Sequence, residues 1–136
     1  MAYLLDTNVL SELRKGDKAC SKVRQWAVST VQARHFISVL SLGEIRKGIE
    51  LLRRKSPAQC PMFEQWLGRL ESDYERDILP VTQEIADRWG RIMAIQTLPV
   101  SDGLIAATAL VNDLAVVTRN TDDFKRSGVK LINPFE

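Results

Sequence analysis

The chain has 136 residues, 45% of them hydrophobic and 26% charged, the make-up of a globular protein rather than a disordered or fibrous one. With 19 basic and 17 acidic side chains the net charge is only +2, too weak a balance for a protein held to nucleic acid by phosphate contacts alone. Two cysteines and one histidine are too few for a Cys/His zinc site, and a chain with this much apolar material needs no disulfide between Cys20 and Cys60.

Tyr3-Leu4-Leu5 is short and fully apolar, which predicts a buried first strand ending at Asp6, Thr7 and Asn8. Residues 7–13 read as the strand's exit into a helical turn, and 22–29 carry Val23, Trp26 and Ala27 at helical spacing. Phe36-Ile37-Ser38-Val39 is the second strand, with His35 at its edge as a strand-end or loop residue rather than a catalyst. Helical patterns over 41–54 and 62–74 are broken by Ser56-Pro57 and Cys60-Pro61, so they predict a helical hairpin. Ile78-Leu79-Pro80-Val81 is a short third strand whose proline suits an end or an edge. Helices over 83–95 and 102–111 then lead to a fourth strand, Leu114 to Thr118, and a fifth, Val129 to Ile132. Strands separated by helices argue for an α/β class: a central parallel five-stranded sheet flanked by helices, with residues 1–136 as one domain.

In such a sheet, ligands bind outside the carboxyl ends of the strands. Asp6 follows the first strand, Glu44 lies in the first turn after the second, and Asn120, Asp122 and Asp123 follow the fourth. Asp102 opens the helix that feeds the fourth strand, so topology alone does not bring it to that end. Each acid also has a plain reading. Asp6 fits a helix cap or a partner of Arg14; Ser41 and Glu44 fit a capping box; Ser101 fits a cap with Asp102 on the helix dipole. Against those readings, a carboxylate placed directly after a buried strand is poorly solvated unless something binds it. Asp102 precedes a nearly all-apolar helix and is thereby pinned close to the core. Gly43 and Gly48 suggest close helix packing or access to a pocket. No glycine-rich phosphate loop and no G-x-S-x-G elbow is present. Carboxylates accompanied by a hydroxyl and an amide suit hard cations such as Mg²⁺, and point to metal-assisted hydrolysis of a phosphodiester. Arg14, Lys15, Arg46, Lys47 and Arg119 are the candidates for a basic rim near those acids.

Four segments in order carry a resemblance: LLDTNVLSEL at 4–13, SVLSLGEIRKGI at 38–49, SDGLIAATAL at 101–110 and VVTRNTDDFKRSGVKLINPF at 116–135. Together they resemble the PIN-domain ribonucleases, specifically the VapC-type toxins of bacterial toxin–antitoxin pairs, over nearly the whole chain. The resemblance implies a PIN-like fold with Asp6, Glu44, Asp102 and Asp123 around Mg²⁺ or Mn²⁺, supported by Thr7, Thr118 and Asn120. It also brings Asp102 to the end of the sheet that topology left open, and leaves Asp122 exposed. It implies an endoribonuclease acting on RNA, commonly a structured RNA such as a tRNA. Finally it implies a homodimer and a cognate VapB-type antitoxin, for which part of the apolar hairpin should be a groove. The competing readings are a catalytically inactive PIN-like nucleic-acid-binding or structural module, and a phosphate-receiver or phosphomonoesterase domain, which lacks its acid pair here. No basic stretch with a following apolar run opens the chain and no membrane-spanning run occurs, so a cytoplasmic protein is expected.

Overall fold

The computed structural model describes residues Met1–Glu136. Five strands, β1 (Ala2–Leu5), β2 (Arg34–Ser38), β3 (Ile78–Leu79), β4 (Ala115–Val117) and β5 (Leu131–Ile132), pair in the order β3-β2-β1-β4-β5. Every pairing is parallel, so all strands run out at the same edge of the sheet. Each crossover is helical: α1 (Thr7–Leu13) and α2 (Ser21–Ser29) follow β1, and α3 (Val39–Lys55) and α4 (Cys60–Asp73) follow β2. Next come α5 (Gln83–Ile95), α6 (Val100–Val111) and, after β4, the short α7 (Thr121–Phe124). This is the PIN-like α/β architecture, a central parallel sheet between helical layers, with α3 and α4 as the hairpin.

Alternation along the strands divides the core in two. Tyr3, Leu5, Ala115 and Val117 face one layer, where Val9, Leu10, Ile45, Ile49, Trp66 and Leu67 pack on them. Leu4 and Val116 face the other, against Ile85, Ile92, Ile105, Ala106 and Phe124. Leu4, Leu5, Val116 and Val117 have no exposed surface. Burying each contributes about 1.5–3 kcal/mol, which locks the strand ends in register.

Several boundaries differ from those read in the sequence. β2 starts at Arg34, because the His35 ring stacks on Trp26 (centroids 5.4 Å apart) and lies near Tyr3 (5.7 Å), making it part of the sheet. α3 starts at Val39 rather than Ser41, because Ser38 caps it by accepting a hydrogen bond from the Leu40 N–H at 3.1 Å. α6 starts at Val100, with Pro99 preceding it, so Ser101 is inside the helix and is not its cap. Cys20 and Cys60 are free thiols. No helix is long and apolar enough to cross a membrane.

The glycines also sort differently. A side chain at Gly43 or Gly48 would meet nothing within 4 Å, so neither supports a close helix approach. Gly103 does: a Cβ there would lie 2.9 Å from the Met93 sulfur and 3.0 Å from a Trp89 ring carbon. The absence of a side chain at this position lets α5 and α6 press together. Gly103→Ala should therefore lower stability by about 1–2 kcal/mol despite its gain in helix propensity, whereas Gly43→Ala should raise it by about 0.5–1 kcal/mol. Urea unfolding of the two variants checks the pair.

Candidate active site at the carboxyl end of the sheet

β1 and β4 are neighbours, and Leu5 is in register with Val117. The next residues, Asp6 and Thr118, therefore leave the sheet side by side. Asp6 is only 7% exposed and Thr118 is fully buried. The Thr118 hydroxyl donates to Asp6 Oδ2 at 2.8 Å and accepts from Asn8 Nδ2 and from the Asn120 N–H, each at 3.1 Å. Its hydrogen-bonding capacity is thus fully used. The other carboxylate oxygen, Oδ1, accepts the Thr7 N–H at 2.8 Å, so Asp6 is a helix cap and a site residue together. Nothing links it to Arg14, whose guanidinium lies instead over Phe63, 4.6 Å from the ring centroid.

Glu44 comes from α3 on the neighbouring side. Because Ser38 already caps that helix, the capping box read in the sequence does not form. Ser41 is buried with its hydroxyl unpartnered, and Glu44 Oε1 accepts a hydrogen bond from the Thr7 hydroxyl at 2.9 Å. Thr7 is thereby the joint between the two acids, its N–H on Asp6 and its hydroxyl on Glu44. Asp102, third residue of α6, is half-buried, and its carboxyl feels the charges of Asp6, Asp123 and Glu44. The α5–α6 packing around Gly103 brings the start of α6 to this end of the sheet, which the order of the strands alone does not dictate.

Asp123 and Asn120 lie in and before α7, both exposed. The charge of Asp123 reaches Asp6 and Asp102. Asp122 pairs with Lys125 at 2.6 Å. Sequence reading singled out Thr118 and Asn120 but gave no role to Asn8. Its amide donates to Thr118 and, at 3.4 Å, to Asp6, while its carbonyl accepts the Arg119 N–H at 3.1 Å. The signal available was position: an amide two residues after an acid, at the start of a helix, reaches back to that acid and across to the adjoining strand end.

The electrostatics follow from this crowding. Asp6 is raised above its ordinary value of 3.8 by loss of water, with Asp123 adding repulsion against the pull of the Thr118 and Thr7 hydrogen bonds. Glu44 is raised by desolvation on its protein side and by Asp6, although it is exposed overall, and Thr7 and Lys47 oppose the rise. Asp102 shows the largest effect. Burial, then Asp6, Asp123 and Glu44, push it up to about 6, overriding its favourable place in the first turn of a helix. As placed, no three acidic, histidine or cysteine side chains stand together closely enough to hold one ion. The donor set is nonetheless all oxygen, and its negative charge has no full counterweight. That combination fits a hard divalent cation, whose charge would reverse each of these shifts.

Of the expected basic rim, much is already engaged. Arg46 Nη2 bonds Glu64 at 3.0 Å and shares Glu50 with Arg53, Lys15 pairs with Glu12 at 3.1 Å, and Arg119 lies 3.9 Å over the Phe135 ring. Lys47 faces Glu44. Next to the acids, a groove of about 280 Å³ runs between α1 and the hairpin, from Thr7 and Glu44 past Gly48 to Leu52, Phe63 and Trp66.

A PIN domain family model matches residues 3–130. The chain belongs to the PIN-domain family. It is 30% identical to toxin FitB of Neisseria gonorrhoeae over 97% of both chains, and 28% identical to VapC ribonuclease Y4jK of Sinorhizobium fredii over 98% of this chain and 97% of that one. Its fold superposes with a TM-score of 0.87 on the crystal structure of FitAcB from Neisseria gonorrhoeae, 28% identical and covering 98% and 99% of the two chains. A toxin-antitoxin complex from Klebsiella pneumoniae follows at 26% identity and a TM-score of 0.70, with 98% of each chain covered. The PIN assignment and the VapC-type toxin kinship read from the four segments both hold.

Asp102 titrates near 3.8 when unfolded and near 6 when folded. Between those values the native state holds more protons than the unfolded one, so this group's contribution to stability declines as pH rises through the window. In chelator, Asp102→Asn should match the wild type in melting temperature at about pH 4 and exceed it at about pH 7. A pH series of thermal melts on both proteins reads the difference.

Proposed function

We propose that this PIN domain, the whole chain acting as one unit, is a VapC-type toxin: a Mg²⁺- or Mn²⁺-dependent endoribonuclease that hydrolyses phosphodiester bonds in RNA, with a structured RNA such as a tRNA as its target. The observation that carries the reading is the gathering of Asp6, Glu44, Asp102 and Asp123 at one end of the sheet, where burial and then the charges of the other three push Asp102 up to about 6. Carboxylates that repel one another at the mouth of a sheet have no use to a protein that only binds a polyanion.

A divalent cation bound there supplies a water of lowered pKa and offsets charge at the phosphate. Asp6, Glu44, Asp102 and Asp123 are the residues to hold it. The chain's own part is positioning. Thr118, Asn8 and the Thr7 N–H fix the Asp6 carboxylate, so its unused lone pairs have one direction to face. The Thr7 hydroxyl fixes Glu44. Asp102 has no such side-chain anchor, and burial with the neighbouring acids raises its carboxyl until a cation offsets their charge.

The groove beside Glu44 supports a cognate VapB-type antitoxin as partner. An apolar helix laid along Leu52, Phe63 and Trp66 would end at the acids, where a basic side chain could neutralise them. A homodimer is part of the same reading. On this reading the protein would act in the cytoplasm, where its RNA is.

The second reading is an inactive binding module, for which Asn120 brings an uncharged amide beside the acids. Cleavage decides between them. RNA should be cut with Mg²⁺ or Mn²⁺ and left intact in chelator. Asp6→Asn should lose about a hundredfold or more in rate, because even indirect partners of a metal are worth ten- to a hundredfold. Asp123→Asn should be damaged clearly and Asp122→Asn hardly at all. Full-rate cleavage in chelator removes the metal, and no cleavage with either ion leaves the binding module.

A further inference from the structure

A second cleft adjoins the acids on the side away from the groove. It measures about 300 Å³, and one wall is the α5–α6 connection, residues 96–99; the other is Asp122, Asp123, Lys125 and Arg126. Asp102 stands three residues beyond Pro99, and Asp123 lines the cleft itself, so the cleft opens directly from the acidic centre.

Gln96 is the unusual residue in it. The side chain lines the cleft yet is only 9% exposed, and its Oε1 is buried without a hydrogen-bond partner. A buried carboxamide oxygen left unpaired costs about 1–3 kcal/mol, and folded proteins retain few of them. Gln96 ends α5 in an extended conformation, its own N–H going back to Ile92 at 3.2 Å. Charge at the rim is arranged to match. Lys125 is taken by Asp122, which leaves Arg126 as the cation of this wall without an acidic partner.

A carboxamide carries a donor and an acceptor side by side, as the edge of a nucleobase does, and a neighbouring guanidinium suits a phosphate. We infer that this cleft is the subsite for the nucleotide adjoining the scissile phosphate, with Gln96 reading the edge of its base and Arg126 holding the next phosphate. The inference rests on the ribonuclease reading above and names the residue that gives that site its choice of sequence. Gln96 acts by selecting and positioning the nucleotide; the reacting atoms belong to the acids. The volume admits one base, so selection falls on a single position beside the cut.

Two measurements test it. The first is cleavage, with Mg²⁺, of an RNA strand randomised at the positions flanking one scissile bond, read as the rate for each base. The wild type should favour one base at one flanking position by about tenfold, the worth of a hydrogen bond or two to a base edge. Gln96→Leu should flatten that preference to within about twofold, chiefly by slowing cleavage at the favoured base. Arg126→Ala should raise KM for every sequence alike and leave the preference in place. A wild type without preference, an unchanged preference in Gln96→Leu, or an equal loss for all bases, which marks a structural role, each overturns the proposal. The second measurement needs no cleavage: titration of the wild-type protein in chelator with AMP, GMP, CMP and UMP, following the Gln96 side-chain amide by NMR. One nucleotide should shift that resonance saturably and more than the others. A resonance that moves for none overturns the subsite, even if Gln96→Leu fails to fold. If the wild type cuts no RNA but the amide responds, the ribonuclease reading falls and the nucleotide site stands.

Discussion

The hydrogen bond from the Thr118 hydroxyl to Asp6 Oδ2 ties the ends of two adjacent strands into one fixed point, and the rest of the site is referenced to it. Its 2.8 Å length follows from register: Leu5 opposite Val117 makes the next residues of β1 and β4 neighbours. Both strands are buried on both faces, so neither can slip without exposing its whole apolar set. Around the point, Asn8 crosses from α1 to the β4 exit, and Thr7 reaches Glu44 on α3. Three segments far apart in sequence are thereby bound through side chains rather than through the sheet. The buried Asp6 carboxylate is held by three donors, yet its proton affinity still rises. Protein hydrogen bonds alone do not compensate the charge that four acids bring together.

Much of this arrangement is legible in the sequence because it depends on local signals. Apolar runs that stop at Asp6 and at Thr118 mark the strand ends, and parallel topology sends both to one edge. Glu44 is harder. The spacing from Ser41 imitates a capping box, and only the cap made by Ser38, one residue before Val39, shows that Glu44 is free to face Thr7. Asp102 depends on something the chain order does not carry, the tight approach of α5 to α6 over Gly103, with 2.9 Å from a would-be Cβ to the Met93 sulfur. The glycines that look significant by spacing, Gly43 and Gly48, have open surroundings, while the one that matters stands beside an acid. Asn8 is read only as part of the turn after the first strand, because the sequence does not show that its amide reaches across to Thr118.

The site also shows how a nearly neutral chain handles two opposite demands. Acids collect at the mouth of the sheet, and most of the cations nearby are spent on other partners: Arg46 and Arg53 on Glu50 and Glu64, Arg14 over Phe63. Exposed pairs of this kind add little stability, about 0–1 kcal/mol each, but they fix long side chains on the walls of the hairpin. The groove they border is apolar in the middle and acidic at the Glu44 end, a shape suited to a partner with the opposite polarity. Charge is correspondingly local, and the overall sum of +2 says little about any one face.

On the proposed function, the four acids form an incomplete site that a divalent cation would complete. Calorimetric titration of Mn²⁺ into the RNA-free protein tests this directly, repeated in buffers of different ionisation enthalpy so that proton release is counted. Near pH 6, where Asp102 is partly protonated, binding should expel part of a proton, and the release should fade by about pH 8. Asp6→Asn should abolish or severely weaken the binding. An absence of Mn²⁺ binding at millimolar concentration, or equal binding by wild type and Asp6→Asn, would contradict the account.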